Sequence, residues 1–169
     1  MRGFRNMAKE GIRSLFFRAG LEVHRLEAEL PRALEKFRVD LILDVGANVG
    51  QFAQQTRASG FKGRIVSFEP LTDAHKALSA RATGQSAWQV HERCAIGDRD
   101  GETAINVSRN SVSSSILPIL PAHEAAAAES AYVRTETVPL ARLDTVAPPY
   151  LTGASHPFLK IDKIGRAHV

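Results

Sequence analysis

Val39-Asp40-Leu41-Ile42-Leu43-Asp44-Val45-Gly46-Ala47-Asn48-Val49-Gly50 decides how the rest of the chain is read. Its first half is a short run of branched apolar residues, the pattern of a strand buried in a parallel sheet. Gly46 lets the backbone turn tightly and lets a ligand come close. Gly50 opens a helical turn, where free N–H groups face any ligand. Val49, Phe52, Ala53 and Thr56 then follow at helical spacing, and Gly60 closes that helix.

Downstream the pattern repeats. Arg64 to Phe68 is a second buried strand, ending at Glu69-Pro70. Asp73 is placed to cap the next helix, with Ala74, Ala77, Leu78 and Arg81 on its inner face, and Trp88 to Ile96 reads as a third strand. Strand, helix, strand, helix, strand predicts a parallel α/β sheet. Later, Glu102 to Val107 alternates as a strand on or beside that sheet. Ser111 to Ser115 reads as a loop, Pro121 to Ala131 as an alanine-rich helical segment and Thr135 to Leu140 as a strand. Leu143 to Val146 starts a turn or short helix, and Pro148-Pro149 with Gly153 marks a linker. Phe158 to Asp162 is one more buried strand with an acid at its carboxyl end.

Upstream, residues 1–38 form an N-terminal helical extension. Phe4, Met7, Ala8, Ile12, Leu15, Phe16 and Ala19 recur at three- and four-residue spacing, and a second helix, Glu22 to Phe37, is broken or restarted at Pro31. Arg2, Arg5, Lys9, Arg13 and Arg18 face only Glu10 in that first stretch. Such a helix either packs on the domain with its cations solvated or touches an anionic membrane surface.

Composition narrows the classes. The 169 residues are 44% hydrophobic and 24% charged, which excludes wholesale disorder. No apolar run nears the roughly 18 residues that span a bilayer. The formal charge of +4 is concentrated near the N-terminus, so no nucleic-acid footprint is expected. Cys94 is the only cysteine, which excludes an intrachain disulfide, and no signal peptide is recognisable, so the expected location is cytoplasmic. His91-Glu92 and His123-Glu124 lack a second histidine at ligand spacing, so no zinc site is assigned.

The candidate site gathers at the carboxyl edge of the sheet, where open α/β folds bind ligands. A dinucleotide fingerprint needs G-x-G-x-x-G, but Asn48 stands at the middle glycine and no third glycine follows. Asp44 beside the turn disfavours a pyrophosphate and suits a cation. Glu69, 23 positions after Gly46, can accept hydrogen bonds from both hydroxyls of a ribose. Ala95, Ile96 and Asp98 follow on the third strand, where an adenine pocket would be lined. Asp162 is a candidate base or metal ligand, or a carboxylate that only orients the cofactor or a loop.

In this order, Asp44 to Gly50 with Gln51-Phe52, Ser67-Phe68-Glu69-Pro70, Ala95-Ile96-Gly97-Asp98 with Gly101, Ser113-Ser114-Ser115, Val138 to Asp144, and Leu159-Lys160-Ile161-Asp162 resemble an FkbM-type methyltransferase. The resemblance runs from about Val39 to Asp162. It implies a Rossmann-like class I domain that uses S-adenosylmethionine. Asp44, Gly46, Asn48 and Gly50 would then cradle the methionine part, Glu69 would hold the ribose, and Ala95, Ile96 and Asp98 would face adenine. Such enzymes mostly methylate oxygen, often hydroxyls of sugars, glycans or natural products, so the expected partner is a small-molecule or glycan acceptor. Two rivals stand beside it: a Rossmann-type nicotinamide-dependent oxidoreductase, and a non-catalytic module that binds S-adenosylmethionine.

After Asp162 the resemblance stops. The family continues with a hydrophobic residue, then an acid or amide, then glycine and often glutamate, whereas here Lys163-Ile164-Gly165-Arg166-Ala167-His168-Val169 follows. Those seven residues can be encoded by a common sequencing-adapter read. The expectation is therefore a partial methyltransferase domain over 39–162, inactive by itself, with one strand edge uncovered and a non-native tail over 163–169.

Overall fold

The computed structural model describes residues 26–108 and 132–162. Several expectations lie outside them: the basic first helix, the serine loop at 111–115, the alanine-rich segment at 121–131 and the tail at 163–169. The chain divides into two units, Met1–Lys36 and Phe37–Val169. In the first, helix α1 (Leu26–Lys36) runs through Pro31 instead of restarting there. The proline removes one backbone hydrogen bond from the helix, and the turns on either side carry the segment across.

The second unit is α/β. Its elements are β1 (Leu41–Val45), α2 (Gln51–Ala58), β2 (Arg64–Phe68), α3 (Thr72–Ala82), β3 (Trp88–Val90), β4 (Ala95–Gly97), β5 (Gly101–Ser108), β6 (Tyr132–Arg142), α4 (Leu143–Val146), α5 (Pro148–Leu151) and β7 (Pro157–Ile161). Four strands form a parallel sheet in the order β3-β2-β1-β7. The other three form a smaller sheet, β4-β6-β5, in which β5 runs antiparallel to β6 and β4 parallel to it. The arrangement of the larger sheet is compatible with a Rossmann-like fold.

Burial follows the apolar runs. All five residues of β1 are buried, as are Ile65 to Phe68 in β2. Leu41, Leu43, Val45, Val66 and Phe68 form one face with Cys94, Ile96 and Ala147, and Leu143, Val146 and Tyr150 pack against it. A second core joins Leu71 and Ala74 of the α3 region to Ala95, Ile105, Val107, Val138 and Leu140 of the smaller sheet.

Four expectations need correction. Trp88 to Ile96 is not one strand: the chain leaves the parallel sheet after Val90 and resumes as β4 beside β6. Pro148-Pro149 is not a linker but the start of a one-turn helix, with proline at its first positions where no N–H is needed. Asp73 does not cap α3. Leu71 is the N-cap, and Glu136 of β6 accepts from both the N–H and the hydroxyl of Thr72, each at 3.1 Å. Nor is β7 a buried strand. It lies at the end of the sheet order, with Leu159 and Ile161 43% and 61% exposed. Its sequence resembles that of a two-sided strand, but it has β1 on one side and no second neighbour among the described residues.

Candidate functional site

The strand order places the site. From β1 the chain moves to β2 and β3 on one side, while β7 pairs with β1 on the other. The carboxyl end of β1 is therefore a topological switch point, the place where open α/β sheets leave a crevice. The turn from Gly46 to Gly50 and the last residues of β7 meet there.

The turn is held by the end of β2. The N–H groups of Gly46 and Ala47 both donate to the Phe68 carbonyl at 3.0 Å, and Gly50 N–H donates to Ala47 O at 2.8 Å. Asn48 adopts a left-handed φ of 50° and donates its N–H to Glu69 Oε2 at 2.8 Å. Both glycines are required by the fold itself. A Cβ on Gly46, at φ +76°, would lie 2.2 Å from the Asp162 carbonyl oxygen. One on Gly50, at φ +88°, would lie 2.9 Å from Leu78 and Trp88. Arg81, expected on the inner face of α3, is instead exposed, and its guanidinium donates to the Val49 carbonyl.

Glu69 is buried at the end of β2, where its other oxygen accepts from Leu71 N–H at 2.9 Å. Burial pushes its carboxyl above the usual range, and the Leu71 and Asn48 amides pull it back. Two of the carboxylate's roughly four acceptor positions are thus taken by backbone.

Asp44 is fully buried, with a polar row on either side of it. Because β1 pairs with β2 and β7 in register, Asp44 lies beside Ser67 and Lys160. Trp88 Nε1–H donates to Ser67 Oγ at 3.0 Å, and Ser67 donates to Asp44 Oδ2 at 3.3 Å. Lys160 Nζ reaches Asp44 Oδ1 at 2.9 Å, Gly46 O at 3.4 Å and Asp162 Oδ2 at 3.6 Å, and lies 5.2 Å from the Phe52 ring centroid. Burial pushes the Asp44 carboxyl up, and the Lys160 ammonium opposes it. The Asp162 side chain is 70% exposed, while its N–H donates to Val45 O.

The structure thus brings Asp44, Gly46, Asn48, Gly50, Glu69 and Asp162 to one edge. It places Ala95, Ile96 and Asp98 differently. Ala95 and Ile96 are core residues of β4, and Asp98, exposed after that strand, pairs with Arg99 at 3.5 Å. Their strand belongs to the smaller sheet because β6 supplies its partner. Among the described residues, no group of three or more His, Cys, Asp or Glu side chains converges as a metal site, and no helix is long and apolar enough to cross a membrane.

Sequence reasoning missed Lys160. Its signal was the alternation Lys160-x-Asp162, which puts both residues on one side of a strand ending beside Asp44. It also missed a cluster beyond Phe68, where His91 Nδ1 lies 2.8 Å from the Tyr150 hydroxyl and His75 Nε2 lies 2.8 Å from the His91 carbonyl. The Phe68 ring packs against both His91 and Tyr150. No protein-family model matches the chain, and no curated protein matches it.

Proposed function

We propose that the chain carries the cofactor-binding part of an S-adenosylmethionine-dependent methyltransferase that acts on a hydroxyl of a sugar, glycan or natural product. The observation that carries this reading is the charge at the switch point: Asp44, Glu69 and Asp162 stand there against Lys160. That balance favours a cationic ligand such as a sulfonium and opposes a pyrophosphate. The ordered motifs that resemble an FkbM-type enzyme support the same choice.

The hydrogen bonds of the turn weigh against a nicotinamide dinucleotide. A pyrophosphate at a strand–helix turn is held by free backbone N–H groups. Here those of Gly46, Ala47, Asn48 and Gly50 already have protein acceptors.

The residues present fit the proposed cofactor. Asn48 Oδ1 is buried with no hydrogen-bond partner among the described residues, an acceptor left for a donor on a ligand. Glu69 retains acceptor positions for a ribose. Bound S-adenosylmethionine supplies an electrophilic methyl group on sulfur. The protein's task is to orient the ligand and the acceptor hydroxyl and to exclude water. Asp162, exposed at the same edge, is the group that takes the acceptor's proton.

Calorimetry on the full chain with S-adenosylhomocysteine and, separately, NAD⁺ tests the reading. Binding of S-adenosylhomocysteine with no heat from NAD⁺ is expected. Tighter binding of NAD⁺ would overturn it.

A further inference from the structure

The four strands of the larger sheet run the same way, so their amino ends share one edge, away from the crevice. The segments before β1, β2 and β7, at 37–40, 61–63 and 152–156, build that amino edge. Arg38 and Lys62 are exposed there, and no described acid pairs with either. Arg64, the first residue of β2, adds a third cation. Asp40 is the only acid in these segments, and its carboxylate is turned onto the amides of Ser155 and His156. Two large apolar side chains stand at the same edge. Phe37, beside Arg38, is 63% exposed. Leu151 is 39% exposed and precedes Thr152, whose carbonyl accepts from the Arg64 guanidinium at 3.1 Å. Arg38 is also held at a left-handed φ of 50°, a form that glycine adopts more readily than arginine.

We infer that the amino edge docks on an anionic lipid surface, with Arg38, Lys62 and Arg64 at the headgroups and Phe37 and Leu151 at the boundary of the acyl chains. Cations beside exposed apolar side chains are what such a surface binds, through charge and buried apolar area together. Each cation near an anionic leaflet strengthens binding about fivefold. The apolar pair favours a bilayer over a nucleic acid: Leu151 has no ring on which a base could stack, whereas acyl chains accommodate both residues. The sequence ahead of this edge has the same sign of charge, since Arg2, Arg5, Lys9, Arg13 and Arg18 face only Glu10 in the first twenty residues. Docking by the amino edge leaves the crevice, at the other ends of the same strands, open to its ligand. The inference does not depend on what that crevice binds.

The test is cosedimentation of the full chain with two kinds of vesicle, one of phosphatidylcholine and one of equal parts phosphatidylcholine and phosphatidylserine. The wild type is expected to bind the second kind more tightly, and to lose that preference as salt rises. Arg38→Gln combined with Lys62→Gln is expected to weaken this binding about tenfold or more, and Phe37→Ser about threefold or more. All three positions are exposed, and circular dichroism checks that the variants keep the fold. Lys76→Gln combined with Arg99→Gln removes the same charge from exposed positions away from the amino edge. That control pair is expected to change binding less than about twofold. Equal binding to the two kinds of vesicle, no loss in either edge variant, or an equal loss in the control pair would overturn the inference. A wild type that binds double-stranded RNA more tightly than the anionic vesicles at the same salt would overturn it as well.

Discussion

The backbone amide of Asn48 donates to the carboxylate of Glu69 across 21 residues of sequence, at 2.8 Å. This bond joins the turn after β1 to the end of β2. The second oxygen of the same carboxylate holds Leu71 N–H, the first amide ahead of α3. One side chain thus fixes the lip of the crevice and the start of the helix behind it.

Removing that carboxylate leaves both amides without their acceptor. Glu69→Ala is expected to lower the unfolding free energy by about 2–4 kcal/mol, since an unsatisfied buried donor costs about 1–3 kcal/mol. Glu69→Gln keeps one acceptor oxygen and is expected to lose about half as much. Urea unfolding followed by circular dichroism measures both, and equal stability of Glu69→Ala and the wild type would refute the linkage.

Two glycines with nearly equal φ make an informative comparison. Gly46 and Gly84 have φ of +76° and +80°, but only Gly46 has a neighbour against its missing side chain, the Asp162 carbonyl. Gly84→Ala is expected to cost about 1–2 kcal/mol from backbone strain alone. Gly46→Ala adds a clash with backbone that must move, so a clearly larger loss is expected, together with loosening of β7. Hydrogen exchange at Asp162 N–H, which bonds Val45 O, reports that loosening. Equal losses at the two positions would argue against close contact between the turn and β7.

Stability should respond to pH through His91. Burial lowers its imidazole below the ordinary value of 6.5, opposed by the charge of Glu92. Below 6.5 the unfolded chain takes up this proton before the folded chain does. The contribution of His91 is therefore complete above 6.5 and is lost as pH falls from there through its lowered folded value. His91→Gln is expected to flatten that part of the pH profile in chemical denaturation. An unchanged slope in the variant would remove His91 as its source.

The legible parts of the chain were those decided locally. Asp44 to Gly50 announced strand, turn and helix because branched residues, two glycines and helical spacing fall within a dozen positions. Glu69 was legible for the same reason, at the end of a strand with a clear apolar run. What escaped depended on distant partners. The break after Val90 is set by β6, about 40 residues later in the chain, which captures Ala95 to Gly97. Lys160 acquires its meaning only from the register that lays it beside Asp44. The cap of α3 is supplied by Glu136, 64 residues away, although Asp73 is the acid the local pattern suggests.

The opposite edge of the sheet is built in another way. Arg57 donates to three carbonyls there, of Phe61, Gly63 and Ala87, at 2.9, 2.7 and 2.7 Å. Asp40 accepts from the amides of Ser155 and His156 at 2.6 and 3.0 Å. In each case a side chain grips main chain, so identity matters little at Ala87, Ser155 and His156, whereas the Phe61 ring also lies beneath the Arg57 guanidinium and Gly63 has the Asp40 carbonyl against its missing side chain. This edge serves as a baseplate whose integrity rests on two residues, while the crevice edge depends on many particular side chains. An engineer could rewrite Ala87 or Ser155 with little effect on the frame. Selection acting on ligand choice has the same latitude: it can revise the far rim of the sheet without dismantling the foundation beneath it.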